Sequence, residues 1–570
     1  MRMVKYWLII LLSAFLIESG TGLAQTTGKI SGTVTDAETG EPLIGVNILV
    51  KGTDLGGATD VDGEFFILNI HPGVHNVEAR YIGYATTTVQ DVQVSVNRTA
   101  RVSFKMSPSV IDGEEVTIIA DRISVKKDQT NSIRNVSSED ISVLPVESIS
   151  AVVEMQPGVV NNHFRGGRSN EAVYMIDGVK TTESFRQESQ AVNVNPEAAQ
   201  DIEIITGTFN AEYGDAMSGV VNIVTKEGGN KFDGSASVSF GNYLTSHNDK
   251  FIGLSNGEFD RIQDLRFNVS GPVFSDKLTF FVDGRKNKDD GYLNGVHYFN
   301  PHDYSNYDSD DPAEWITEHT GDSSFVHMSW DDNLLLFGKL TYRATNSIKM
   351  SLSANLNNRE GQWYNHANKY NPLGMPTNYT ESLMFSYQLN HMLSPSAFYD
   401  LKLSRSDYQV GNYMYENPSD PRYVHDEYSR SNGFSTGGDS KGHTIRGEEN
   451  LNLKLDYSWQ INKNHFLKTG VDLSRITLNQ QYSTIQNKFN GSGVEYDNFI
   501  DENGELQFPN YAPVTFPDSS THSDIYTHKP IKFAYYLQDK MEFNSMVVNM
   551  GVRFDYFDPD AIYPSNYRNP

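Results

Sequence analysis

After residue 24 this chain has no apolar stretch of the length that crosses a bilayer as a helix. From about residue 235, however, it alternates apolar and polar residues over segments longer than the ~5–6 residues usual in soluble sheets. Eleven such segments stand near 235–243, 265–271, 277–287, 333–344, 347–359, 381–393, 397–410, 448–460, 465–478, 531–541 and 545–557. Tight turns (FSD, TNS, SPS, NKN, NSM) alternate with long polar connections such as 288–332, 411–447 and 479–530. Within 334–358, Phe337, Lys339, Thr341 and Arg343 share one face, and Gly338, Leu340 and Tyr342 the other. Lipid offers backbone amides no water, so a non-helical chain can cross it only as a closed sheet. Short turns at one end, long loops at the other and a polar face opposite an apolar one predict an antiparallel transmembrane β-barrel. A soluble propeller or solenoid would need a fixed repeat period, and none is present. Eleven is an odd count where bacterial barrels have even ones, so the expectation is the front part of a larger barrel.

The N-terminus has the parts of an export signal in order. Arg2 and Lys5 precede the apolar run 7–17, and Gly22 and Ala24 supply small residues before Gln25, giving a cleaved signal peptide over 1–24. The chain has no cysteine, which excludes a lipid on cysteine and disulfide stabilisation. Its net charge of -26 argues against a nucleic-acid partner, because little cationic surface is available to displace counterions from phosphates.

Residues 26–108 are short alternating strands cut by Gly, Asp and Pro. The faces Ile30/Gly32/Val34, Val46/Ile48/Val50, Phe66/Leu68/Ile70, Val92/Val94/Val96 and Val102/Phe104/Met106 predict a small β-sandwich. Within it, TDVDGEF places Asp60, Asp62 and Gly63 like the start of a calcium loop. The later acidic ligand and the flanking helices are missing, so a turn is expected. There is no HExxH, no other metal-ligand spacing and no nucleophile–base pair, so neither an enzyme, a metal nor a cofactor is expected.

Residues 109–122 form an extended segment, and 123–230 mix strands with helix-like pieces, an α+β texture. The passage FRGGRSNEAVYMIDGV, from Phe164, is open to two readings. As chemistry it is an anion cradle (Arg165, Gly166, Gly167, Arg168) with an aspartate behind it. As structure it is a tight turn and a strand ending in Asp177-Gly178.

Three stretches carry a resemblance. Residues 28–106 resemble the carboxypeptidase regulatory-like domain, a transthyretin-type sandwich. RGGRSNEAVYMIDGV (165–179) and DIEIITGTFNAEYGDAMSGVVNIVTKEG (201–228), with SAVVEMQPGVV (150–160) upstream, resemble the plug of TonB-dependent outer-membrane receptors. The implied order is signal 1–24, sandwich 26–108, linker 109–122, plug 123–230 and partial barrel 231–570. The fold class is mainly β, and the family's large barrels have about 22 strands filled by the plug.

The resemblance implies active import of an extracellular small-molecule or oligomeric nutrient. Energy would come from the inner-membrane proton gradient through the TonB complex, which pulls on a TonB box between sandwich and plug. EEVTIIA lies there, giving Glu115, Val116, Thr117, Ile118, Ile119 and Ala120 as the candidate box. Such a box needs an extended β-branched stretch able to add to a partner sheet; a last sandwich strand or a linker is the other reading. Arg165 and Arg168 become candidate latches to carboxylates on the wall, or arginines paired within the plug. Gly166, Gly167, Asp177, Gly178, Tyr213 and Gly214 become plug turn residues.

The location implied is the outer membrane, with lipid around the barrel and the sandwich and box in the periplasm. One alternative is a SusC-like glycan importer with a surface lipoprotein partner, whose plug reads nearer to PLYVIDGVP and AIYGSRGANGVILVTTK than to the AVYMIDGVK and AEYGDAMSGVVNIVTK found here. Another is a binding or adhesion protein anchored by a barrel. The acidic, aromatic loop 300–332 is open to two readings, capture of a cation or sugar, or a solvated outer loop.

Overall fold

Two facing sheets form the first domain of the computed structural model, which describes residues 27–53, 55–109, 115–119, 132–187, 190–254, 257–494, 497–500, 506–508, 510–543 and 546–561. The signal segment 1–24 and Ala120 lie outside these residues. The strands are β1 (Gly28–Asp36), β2 (Asn47–Val50), β3 (Gly56–Ala58), β4 (Glu64–Ile70), β5 (Gly73–Arg80), β6 (Thr86–Val94), β7 (Thr99–Met106) and β8 (Glu115–Ile119). One sheet has the order β4-β1-β7, the other β3-β2-β5-β6-β8. Ile30, Val34, Ile48, Val77, Val92 and Phe104 pack between them.

The sandwich departs from its expected pattern in β4. Phe65 and Ile67, not Phe66 and Leu68, face the core. The pairing with β1 slips one residue between Gly28 and Ile30, and Asn69 takes a left-handed conformation (φ 63°). This bulge returns Ile70 to the core and turns Leu68 into a seam with the other domains. The TDVDGEF segment is a turn, with Asp60 Oδ1 accepting from the N–H groups of Asp62 and Glu64, both at 2.9 Å.

β8 pairs in parallel with β6, from Thr86↔Glu115 to Gln90↔Ile119, and is the edge of its sheet. The candidate coupling segment is therefore ordered here as the sandwich's last strand.

The second domain contains β9 (Ile133–Ser137), α1 (Ser138–Val143), α2 (Ile149–Glu154), β10 (Val159–Val160), β11 (His163–Phe164), β12 (Ala172–Ile176), β13 (Val179–Lys180), β14 (Ala199–Ile205) and β15 (Gly219–Thr225). Ser137 starts α1 with a capping box, donating its N–H to Asp140 Oδ2 (3.1 Å) and accepting the Asp140 N–H at Oγ (3.3 Å). The sheet runs β13-β12-β15-β14-β9, and only β12 and β15 are parallel. Every residue of β12 and β15 is buried, because both faces of this sheet are covered.

Eleven antiparallel strands follow in sequence order: β16 (Asp233–Gly241), β17 (Ile262–Ser275), β18 (Leu278–Asp289), β19 (Asp331–Arg343), β20 (Ile348–Gly361), β21 (Thr377–Ser394), β22 (Ala397–Tyr413), β23 (Gly442–Gln460), β24 (His465–Asn487), β25 (Ile531–Glu542) and β26 (Val547–Asp558). Each of the eleven expected segments is one of these strands, and β16 and β26 are the edges of the sheet. In β19, Phe337, Lys339 and Thr341 are buried on the inner face, and Leu336 and Leu340 are exposed on the outer one. β22 repeats this, with Asp400, Lys402 and Ser404 inside and Leu403 outside.

The plug stands against the inner face. The apolar cluster of Val152, Ile202, Ile204 and Ile223 takes in Phe281, Phe337 and Met384 from the wall. At the opposite end from the short turns, the long connections fold onto one another. Asn371 Nδ2 donates to the carbonyls of Gly437 and Gly438, both at 2.9 Å, and His425 stacks on Phe508 with centroids 4.4 Å apart. The loop 300–332 is folded too, since buried Asp303 accepts from the N–H groups of Asn300 and Thr320, both at 2.8 Å.

An outward Leu and an inward Ser adjacent on β22 give a direct test of this face assignment. Leu403→Arg should destabilise the barrel in lipid vesicles by about 2–4 kcal/mol, measured by urea unfolding. No more than a few tenths of a kcal/mol would mean that Leu403 does not face lipid.

Candidate functional site

The seam between plug and wall holds most of the buried charge. At its centre is the two-residue turn that joins β12 to β13. Asp177 and Gly178 both have positive φ (48° and 77°), the geometry of a type I′ hairpin, for which Asp-Gly is favoured. The turn fixes the Asp177 carboxylate against β15, where it accepts from the Thr225 N–H (2.9 Å) and hydroxyl (2.6 Å). From the wall, Lys339 Nζ reaches Asp177 Oδ2 at 3.3 Å and Thr225 Oγ1 at 3.1 Å. Lys402 Nζ, also on the inner face, donates to the Asp177 carbonyl. Asp177 is thus the expected turn residue and also a plug-to-wall anchor.

Three further carboxylates hold the plug in the same sense. Glu227, just past β15, accepts from Lys349 Nζ at 3.1 Å, lies 3.6 Å from Lys339 and 3.9 Å from Arg343, and meets His71 of the sandwich at 3.4 Å. Burial alone would raise its carboxyl. The charges of Lys349, His71 and Lys339 instead hold it well below the usual range. Glu212, in the EYG turn, pairs with Lys468 of β24. In the third arrangement, Glu147 between α1 and α2 pairs with both Arg266 and Arg285, and Arg285 Nη1 also donates to the Glu147 carbonyl at 2.7 Å. Contacts also run the other way, as where Glu448 of β23 accepts from the Ser184 N–H and hydroxyl, both at 2.7 Å.

The expected arginine latches sit elsewhere. Arg165 is exposed, has φ 49°, and donates from Nη2 to Ser132 Oγ within the plug at 2.6 Å. Arg168 is exposed, and its backbone N–H donates to Glu171 Oε2 at 3.0 Å. Neither meets a wall carboxylate among the described residues, so the pairing within the plug is the one seen for Arg165. Gly166 takes φ 80° in the turn between them, and a Cβ on Gly167 would lie 2.4 Å from that of Ser218.

Tyr213 is buried, and its hydroxyl donates to Glu203 at 3.2 Å. A Cβ on Gly214 would fall 2.4 Å from Arg553 Nη2, whose guanidinium grips the carbonyls of Ala211 and Glu212 from β26. These turn residues are brought together with the wall. Asp177, Glu212 and Glu227 were missed as anchors. Lys339 was the available signal: a lysine on an inner barrel face needs a carboxylate from whatever fills the barrel.

A second acidic group lies where plug meets sandwich. Glu203 of β14 is fully buried beside Asp201 and Glu212. Asn97 of the sandwich donates to it at 3.3 Å. Burial first, then the charges of Glu212 and Asp201, push its carboxyl up to about 8.

No group of three or more His, Cys, Asp or Glu that could hold a metal occurs among the described residues.

Comparison with known proteins agrees with this geometry. The CarboxypepD_reg-like domain model matches residues 30–118, a span that includes most of β8, and the TonB-dependent receptor plug domain model matches 125–220. The TonB-dependent transporter Oar of Myxococcus xanthus is 27% identical over 48% of this chain and 28% of its own length. TonB-dependent receptor P39 of Formosa agariphila is 30% identical over 45% of this chain and 26% of its own. The chain spans about a quarter of the length of these curated relatives. Among solved structures, the outer membrane transporter YddB from Escherichia coli shares the fold, with a TM-score of 0.51 and 14% identity over 75% of this chain and 57% of that one. The relatives are receptors and transporters, not enzymes.

Two predictions follow from the buried charges. Lys339→Met leaves Asp177 without its wall cation and should destabilise plug seating by about 3–5 kcal/mol, seen as plug unfolding at lower urea while the barrel persists. For Glu203 the folded value lies above the ordinary 4.5. Its contribution to stability is therefore complete below that value and is lost as pH rises to about 8. Plug melting temperature should fall more steeply between pH 5 and 8 in the wild type than in Glu203→Gln; parallel curves would refute the assignment.

Proposed function

We propose that the chain is a TonB-dependent receptor that works in the outer membrane in binding and gating the import of an extracellular nutrient. The long, interlocked loops face the outside and the sandwich lies in the periplasm. TonB, driven by the proton gradient, takes hold at residues 115–120 and draws the plug out of the way.

The observation that carries this reading is how the plug is seated. Wall and plug meet through ammonium–carboxylate contacts, Asp177–Lys339, Glu227–Lys349 and Glu212–Lys468, while among the described residues the wall gives Phe281, Phe337, Met384 and the partly buried Tyr408 to the apolar cluster. Ion pairs exchange for water more readily than a continuous apolar core separates, so such a plug can be held and then moved. A barrel used merely as an anchor for adhesion needs neither a plug nor a coupling strand.

Deleting residues 115–120 should abolish uptake and leave surface binding of the nutrient intact. Uptake at the wild-type rate would sink the assignment of this segment. Growth of a gene-deletion strain on individual iron chelates and glycans reads out the cargo, since only the transported class should cease to support growth.

A further inference from the structure

The sandwich touches plug and wall at the same time, on the side of the barrel where the turns are short. On the wall side, Lys29 Nζ donates to Gln460 Oε1 at 2.9 Å and lies 3.5 Å from Glu542, which also accepts from Thr99 Oγ1 at 3.3 Å. Asn69 and Asn390 pair their amides reciprocally, at 2.5 and 2.8 Å. Lys463, in the NKN turn, meets Asp62 at 2.9 Å. On the plug side, the Val96 N–H donates to Asp201 Oδ2 at 3.1 Å, and Asn97 Nδ2 donates to Glu203 and to the Tyr213 hydroxyl, the latter at 3.1 Å. His71 meets Glu227, which is itself bound to Lys349 of the wall.

We propose that the sandwich is a removable bolt across the inner mouth of the barrel, pinning plug to wall and leaving before the plug can move.

Three features fit a bolt better than a permanent part of the core. The contacts are polar and spread over separate points, so each group can exchange its partner for water as the seam opens. The seam is incompletely packed: a cavity of about 60 Å³ lies in it, lined by Lys29, Leu68, Asn97, Glu212, Lys468 and Glu542. The plug also depends on the bolt, because buried Asp201 and Glu203 take donors from the 96–97 turn and would otherwise need water to replace them. Engaged and released states can then differ by little, as a two-position device requires. The coupling segment adds a route. If it is pulled as proposed above, β8 lies in the sandwich's own sheet, so the force reaches the bolt first.

Residues 1–570 contain no cysteine, so an engineered pair would hold the only thiols among them. Asn69→Cys with Asn390→Cys, in the receptor in native membranes, should be bridged by a short bis-methanethiosulfonate reagent that spans the width of the former amide pair, a disulfide crosslink that reduction opens. A handle inserted at residue 125 then allows the plug to be pulled from the periplasmic side without TonB, so the result does not depend on the coupling reading. With the disulfide closed, the plug-release event should vanish or shift to higher force, and reduction should restore the wild-type trace. Lys29→Ala with Asn97→Ala should shorten the dwell before release roughly tenfold. Plug release at the same force with the disulfide open and closed would overturn the proposal. So would failure of the two cysteines to join in a barrel shown by gel mobility to be folded.

Discussion

A charge that leaves water must be met by another charge or cost several kcal/mol, and this requirement organises the interior of the protein. The wall strands put Lys339, Lys402 and Lys468 on their inner faces, each almost wholly buried. A cavity filled by a purely apolar plug would leave them unmatched. The plug instead brings the carboxylates of Asp177 and Glu212, and the Asp177 carbonyl, to those three ammonium groups. The turn chemistry follows from that need. The Asp177-Gly178 hairpin does more than reverse the chain, because it points a carboxylate at Lys339 while β15 holds the carboxylate still through Thr225.

The same requirement explains which parts of the molecule separate cleanly. The sandwich and the plug each have an apolar core of their own. Between them, and between both and the wall, the contacts are mostly hydrogen bonds and ion pairs. Such boundaries are cheap to open so long as water can reach the groups exposed. Glu203 marks the exception, a carboxyl so well covered that it holds its proton at neutral pH.

The wall was legible in the sequence because its strands set apolar residues on the outer face and polar ones on the inner face, which writes a two-residue period into them. The ends were less legible. β23 begins at Gly442, not near 448, because GHTIRGE continues the ladder with polar residues on both faces. The plug sheet showed through resemblance and its Asp177-Gly178 turn, not through a period. AVYMI in β12 is buried on both faces, so it has no alternation to detect, and its parallel partner β15 lies more than 40 residues away. In the sandwich, one bulge at Asn69 was enough to exchange the faces of β4. Arg165 and Arg168, the charges of the motif, lie exposed and bond within the plug. The actual anchors were single acids in turns, recognisable only once Lys339 had been placed opposite them.

Glu227 sits where the chain leaves the plug and enters the wall, and Lys349 holds it there. Geometrically it is a pivot. The plug is continuous with β16 a few residues later, so no displacement of the plug can carry this point far. Displacement then grows with distance from residue 227. Asp177, which shares Lys339 with Glu227, would lie close to such an axis and sweep a short arc. A passage opened by such a swing would be wedge-shaped, widest away from the hinge, and its narrow end would keep its ion pairs after the wide end had parted.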